Sequence, residues 1–245
     1  MCRGTVSWTA KDWNPHDYVP WDEGRNFAAM GGIDWDPEQS RLSEVAKVAM
    51  ITNLLTEDNL PSYHRTIAEN FSMDGAWGTW VGRWTAEENR HAIAMRDYLV
   101  VTRSVDPVAL DSDRMVHMTK GVHMPVGYGG VLDQVVYVTF QELATRISHR
   151  TTGKVCDDPI ADRLLARIAA DENLHMIFYR NITAAAFDLA PDQVIDLHTG
   201  HSTRWSGSLD ARRQLPRAPA GRGRAARAPE PPSDPPADTR PGAGR

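Results

Sequence analysis

Apolar residues in the body of this chain return with helical spacing, and their stripes are interrupted at regular places by Glu and His. Trp77, Trp80, Trp84, Glu88, His91, Met95 and Leu99 follow steps of three, four, four, three, four and four. That spacing puts all seven on one face of a single long helix, so Glu88 and His91 point where the tryptophans point. A competing local reading is a capping box, Thr85 with Glu88, that would start a helix at Thr85. The apolar stripe running upstream through Trp77 argues against a start there.

The same geometry recurs on Leu165, Ile168, Glu172, His175, Tyr179 and Ile182. Two further stripes each carry one glutamate: Met50, Leu54 and Glu57 on one, and Val135, Val138, Glu142, Thr145 and His149 on the other. The first of these is expected to run from about Leu42 toward Tyr63, with Pro61 kinking it beyond Glu57. Asp106-Pro107, the stretch from Pro125 to Gly130, and Asp158-Pro159 read as connections. Strand signal is slight, because Val135 to Val138 is short and continues into helical spacing. The expected fold class is all-α, with four helices that each bring a carboxylate into a core.

The polar positions form two copies of one pattern. A lone Glu is followed by Glu-x-x-His, as Glu57 with Glu88 and His91 and again as Glu142 with Glu172 and His175. The internal offsets are 31 and 30 residues, and the copies lie 85 and 84 residues apart. This is the ligand set of a two-metal carboxylate site in a four-helix bundle. Four unpaired carboxylates in a bundle interior would each cost several kcal/mol, so they must be protonated, paired or bound to metal. No Lys or Arg shares their seams. Two divalent ions balance four carboxylates, and two neutral imidazoles complete the shell. Oxygen-rich ligation with one His per metal and no thiolate favours iron or manganese over zinc or copper.

Composition then bounds the rest. At 245 residues and 41% apolar the chain can bury one substantial core. No apolar run reaches membrane-spanning length and the N-terminus lacks a signal-peptide pattern, so a cytoplasmic protein without a membrane partner is expected. Cys2 and Cys156 are too few and too far apart for a disulfide framework or a thiolate site. The net charge of −5 hides a split: residues 201–245 hold nine Arg, no Lys and four acids, a balance of +5 that leaves residues 1–200 at −10. Arg, Ala, Pro and Gly dominate that tail, which holds too little apolar bulk to offset the entropy of folding. We expect a helical domain over residues 1–200 and a disordered tail over 201–245. The tail lacks the interleaved aromatics of a nucleic-acid stacking platform, so no nucleic-acid partner is expected.

Four strings now carry a resemblance: TEDNLPSY at 56–63, WTAEENRH at 84–91, FQELATRISH at 140–149 and ADENLH at 170–175. Together, from roughly Lys11 to Asp192, they resemble the soluble acyl-carrier-protein (ACP) desaturases, ferritin-like di-iron enzymes, in their bacterial branch. The resemblance implies a ferritin-like four-helix bundle with flanking helices and two iron ions per chain, manganese being the alternative. It implies ligation by Glu57, Glu88, His91, Glu142, Glu172 and His175, with Glu88 and Glu172 bridging. It implies dioxygen-dependent insertion of a cis double bond into an acyl chain on ACP, with electrons from a ferredoxin-type donor, in a homodimer. An acyl chain would need a long apolar channel beside the metals.

Further roles are carried over one residue at a time. Thr145, one turn after Glu142, resembles a threonine that takes part in oxygen activation and proton delivery; the plain alternative is a small residue filling the seam. Trp13 and Asp171 resemble the route by which electrons reach the iron, and Trp84 resembles the tryptophan beside the cluster. Arg90, Arg103, Arg114 and Lys120 are candidates for a basic patch that would receive acidic ACP. Family members begin with another helix and continue well past Asp192, so both ends are expected to be incomplete. The GC-rich codons of the tail suggest an out-of-frame read after roughly Ile195, which translating the other two frames would test. Fold and ligands alone do not fix the substrate. Another di-metal oxidase or oxygenase on the same bundle, or a truncated non-catalytic metal-binding bundle, therefore stay open.

Overall fold

Each bundle helix begins where its sequence supplies a start. In the computed structural model, which describes residues 11–120 and 130–200, the Ser43 side chain accepts from the Ala46 N–H and opens α1, Glu44–Glu57. The chain breaks at Asp58 and Asn59 and restarts as α2, Leu60–Phe71, with Pro61 in its first turn. The expected single helix from Leu42 to Tyr63 is thus two helices. Proline costs nothing in a first turn, where its missing N–H has no helical partner anyway, so it marks a restart and not a kink.

The longest stripe becomes α3, Gly75–Val101, uninterrupted through the Glu88 motif. Thr85 caps nothing; its hydroxyl lies 2.7 Å from His64 Nδ1 on α2. Pro107 opens α4, Pro107–Lys120. Beyond the undescribed residues 121–129 come α5, Val131–Val155, and α6, Pro159–Leu189. Asp158 caps α6 by accepting from the N–H groups of Ile160 and Ala161. Residues 191–200 are again helical and form α7. Among the described residues there is no strand, and no helix is long and apolar enough to cross a membrane. Cys2 and the tail expected to be disordered, 201–245, lie outside the described residues, as does most of the Pro125–Gly130 connection.

Helices α1, α3, α5 and α6 form the bundle, with α5 and α6 packed most extensively. Gly153 makes that approach possible: a Cβ there would lie 2.9 Å from Asp162 Oδ1 and 3.2 Å from the Asp162 Cα. Two apolar layers fill the interior. One holds Met50, Leu54, Met95, Tyr98, Leu99, Leu164, Leu165 and Ile168; the other holds Ile67, Phe71, Trp80, Val81, Trp84, Val135, Val138 and Tyr179. Along α3 the layers meet between Trp84 and Ala92, the stretch that carries Glu88 and His91. Each fully buried large side chain contributes about 1.5–3 kcal/mol, so the layers clamp the polar plane between them.

The loops over residues 25–39, ahead of α1, converge on one cation. Arg103, just past α3 with φ of 53°, is buried. Its guanidinium donates to the carbonyls of Asn26 and Ile33 at 2.9 Å and to Gln39 Oε1 at 3.0 Å, and lies 4.2 Å from the centre of the Phe27 ring. Arg103 is therefore not surface charge, and neither is Arg114, which clasps Asp58 through Nε and Nη2 at 2.6 and 2.8 Å. Of the four candidate docking cations, Lys120 alone is exposed and makes no side-chain bond to another of the described residues.

Candidate metal centre

Helical spacing aims the six expected ligands inward, and the packing brings them together. Ligand atoms of Glu57, Glu88, His91 and Glu172 lie within 4.8 Å of one another, as do those of Glu88, Glu142, Glu172 and His175. All six residues are buried, and both groups contain Glu88 and Glu172. His91 Nδ1 stands 3.1 Å from Glu172 Oε1 and 3.4 Å from Glu88 Oε2. His175 Nδ1 stands 2.8 Å from Glu88 Oε1 and 3.5 Å from Glu142 Oε2.

Whether the residues suit metal is answered by the bonds these atoms do not make. Glu88 Oε1, Glu172 Oε1, His91 Nδ1 and His175 Nδ1 are buried without an aligned hydrogen bond, although they crowd to about 3 Å. Buried polar atoms left unpaired carry a cost, and these face common points instead of one another. Two divalent cations would satisfy all of them, so the donor set fits a two-metal site.

The opposite ring nitrogens are held from behind. His91 Nε2 lies 3.4 Å from Asp171 Oδ2, and His175 Nε2 lies 3.0 Å from Glu87 Oε2. Carboxylates behind metal-binding imidazoles fix the tautomer and ring orientation. The pairing is crosswise: the acid preceding each Glu-x-x-His serves the histidine of the other copy. Arg167 donates to Asp171, Arg83 Nε donates to Glu87 at 2.7 Å, and Arg90 Nη2 sits 3.8 Å from both acids. Arg90 is thereby committed to the site and is not part of a docking patch. Glu87 went unread in the sequence; its signal was the acid in front of both motifs, EENRH and DENLH.

The unshared carboxylates each accept from a neutral donor. Trp84 Nε1 donates to Glu142 Oε1 at 3.3 Å. His149 Nε2 lies 2.8 Å from Glu57 Oε1, and the neighbours fix which nitrogen carries hydrogen. Ser148 donates to Asn53 Oδ1 at 2.7 Å, while Asn53 Nδ2 faces Thr152 Oγ1 at 3.2 Å and His149 Nδ1 at 3.3 Å. An amide nitrogen only donates, so Nδ1 accepts and Nε2–H is given to Glu57. Thr145 donates to Glu172 Oε2 at 2.5 Å. Trp13, distant in sequence, donates from Nε1 to Asp171 Oδ2 at 2.7 Å and stacks on the His91 ring, centroids 6.3 Å apart.

Electrostatics follow from crowding in a dry interior. Burial works against charged imidazoles, yet the surrounding acids hold both well above the usual range: Asp171, Glu172, Glu57 and Glu88 for His91, and Glu88, Glu142 and Glu87 for His175. Burial and the charges of Glu172 and Glu88 push Glu142 well above the carboxylate range. Burial raises Asp171 too, but His91, Trp13 and Arg167 outweigh it and bring the carboxyl down to about 2. Protons and metal ions therefore compete for the same atoms.

A cavity lined by Glu57, Trp84, Glu88, Glu142, Thr145 and Glu172 reaches the cluster. Its volume is about 10 Å³, room for a single water-sized molecule. Leu60 and Tyr63 also line it, and this cavity is too small to be the long apolar channel expected beside the metals. A larger hollow of about 330 Å³ lies elsewhere, between Val136, Phe140, Leu143, Met176 and Phe187.

The family model described as fatty acid desaturase matches residues 4–199. The chain belongs to the fatty acid desaturase family. DesA1 of Mycobacterium tuberculosis, provisionally named an acyl-[acyl-carrier-protein] desaturase, is 64% identical over 191 residues, covering 76% of this chain and 56% of DesA1. A palmitoyl-[acyl-carrier-protein] 4-desaturase of Ophrys sphegodes is 29% identical over 193 residues, covering 75% of this chain and 51% of its own length. The X-ray structure of DesA2 from M. tuberculosis superposes with a TM-score of 0.59 at 38% identity, covering 78% of this chain and 68% of DesA2. This desaturase-family chain thus shares the ferritin-like all-helical fold and spans little more than half the length of DesA1 and the orchid enzyme.

Proposed function

We propose that this chain houses the di-iron centre of an acyl-ACP desaturase, which inserts a cis double bond into an acyl chain using dioxygen and electrons from a ferredoxin-type donor. The carrying observation is the pair of buried ligand clusters that share Glu88 and Glu172, in a chain 64% identical to DesA1. In this reading Glu57, Glu88, His91, Glu142, Glu172 and His175 would hold the two ions, with Glu88 and Glu172 belonging to both ligand groups and the histidines offering Nδ1. Bound iron supplies the oxidising power that no side chain has for an unactivated methylene. Thr145 holds a proton 2.5 Å from Glu172 at the wall of the small cavity, where it can be delivered during oxygen chemistry. Trp84 and His149 orient the Glu142 and Glu57 carboxylates by hydrogen bonds, and the two apolar layers flank the cluster and leave only the small cavity beside it. Trp13 and Asp171 form the inward route for electrons toward His91. Iron is assigned over manganese because the reaction consumes dioxygen. A cytoplasmic homodimer is part of the same reading.

The test is to load ferrous iron anaerobically and supply acyl-ACP, ferredoxin, its reductase and oxygen. About two irons per chain with a desaturated product supports the reading; two irons without product on any acyl-ACP points to a metal-binding bundle. The ligand assignment is separable. Glu142→Ala is expected to lose iron, whereas Glu69→Ala, at a surface glutamate paired with Arg65, is expected to keep it. Equal iron content in the two variants would falsify the assignment.

A further inference from the structure

The two histidines face different aromatic surroundings. Trp13 stacks on His91, and two guanidiniums lie over its ring, Arg90 at 5.1 Å and Arg167 at 5.9 Å from the centroid. On the other side Trp80 meets His175 edge-on, centroids 6.0 Å apart. Trp80 stacks on Phe178 at 3.7 Å and 20°, Phe178 meets Trp77 at 6.1 Å, and Trp77 meets Phe71 at 4.7 Å. Among the described residues no cation lies over Trp80 or Trp77. Trp80 is buried while Trp77 is partly exposed, so the stack leads from the ligand shell toward solvent.

Indole is among the most easily oxidised side chains, and its potential depends on nearby charge. Cations bound to the face of Trp13 withdraw the electron density they rest on, which makes loss of an electron there harder. Trp80 lacks that penalty. Its N–H donates to Tyr179 Oη at 3.2 Å, and burial holds the Tyr179 phenol protonated by raising its pKa. Trp84 touches Glu142 but has no ring partner among the described residues, so a hole placed on it has nowhere to go by ring contact.

We propose that Trp80, Phe178 and Trp77 form an outward hole-transfer route that discharges the oxidised metal centre when no substrate hydrogen is available. It rests only on the metal-and-dioxygen part of the proposed function. One electron passes from the Trp80 indole to the metal centre, and Trp77 refills Trp80 across the Phe178 ring. A thiol- or ascorbate-class reductant in solution refills Trp77, losing one electron and giving its proton to water. No covalent bond forms or breaks along the route, and the Trp80 N–H stays on nitrogen.

The experiment cycles iron-loaded protein through oxygen without acyl substrate and maps oxidised residues by peptide mass spectrometry. Iron content and oxygen uptake, measured first, report separately on the reading beneath. The expected result is indole oxidation at Trp77 several-fold above that at Trp13, suppressed by ascorbate. In Trp80→Phe, with iron content unchanged, oxidation at Trp77 is expected to fall several-fold while damage near His175 rises. If that variant does not load iron, Phe178→Leu serves: oxidation at Trp77 should fall and at Trp80 rise. Oxidation at Trp77 that persists in either variant would come from oxidants in solution and would overturn the route. So would equal oxidation of Trp13 and Trp77 in the parent protein.

Discussion

At the scale of single residues, the site is set by what each polar atom can donate or accept. Glu87 and Asp171 touch no expected metal position, yet each holds one ligand imidazole by its far nitrogen. Losing such a partner typically costs about 10- to 100-fold in metal affinity. Glu87→Gln and Asp171→Asn should each weaken iron binding by that order in a chelator competition titration; unchanged affinity would remove them from the site. Cys156 gives a pH dependence away from the metals. Burial, with the charges of Asp158 and Asp162, raises its thiol from 9.0 to about 11. The neutral thiol is the favoured form in the fold, so its contribution is complete below pH 9 and is lost as pH rises toward 11. Site-resolved alkylation should leave native Cys156 unreacted at pH 8 and label it on denaturation.

At the scale of elements, caps and close approaches decide whether the ligands line up. Helix α6 carries Asp171, Glu172 and His175 and starts on the Asp158 cap. Asp158→Ala should cost about 0.5–2 kcal/mol in denaturant unfolding. Its register against α5 depends on Gly153, where a side chain would collide with the Asp162 backbone. Gly153→Leu should cost about 1–3 kcal/mol by overpacking and also reduce iron content, because Glu142 and Thr145 would move away from Glu172. A variant that loses stability but keeps its full iron content would show that the α5–α6 spacing does not set the site.

At the scale of the whole molecule, two apolar layers hold a plane of acids and imidazoles that only cations can balance. Metal that binds the folded chain alone should stabilise it by about 2.7 kcal/mol at a hundredfold excess over Kd, read as a higher melting temperature that a chelator reverses. Much of this plan was legible in the chain. Helical periods of three and four fix which residues share a face, and burial forbids unbalanced carboxylates, so spacing alone indicated the six inward acids and imidazoles and placed Trp84 and Thr145 on the same stripes. Local pattern could not show where α1 ends, since a proline suits both a kink and a restart. It placed Arg103 on the surface, because nothing nearby in sequence foretells five backbone and side-chain acceptors arriving from residues 25–39. It missed Glu87, which lies one residue off the seam and is buried only because α6 covers that flank. The sequence by itself determined which side chains point inward, since that depends on the helical repeat. Only the tertiary structure decided the crosswise pairing of acid and imidazole, the placing of Trp13 face-on and Trp80 edge-on against opposite histidines, and the small size of the cavity. Those depend on the distances between helices, which no single helix encodes.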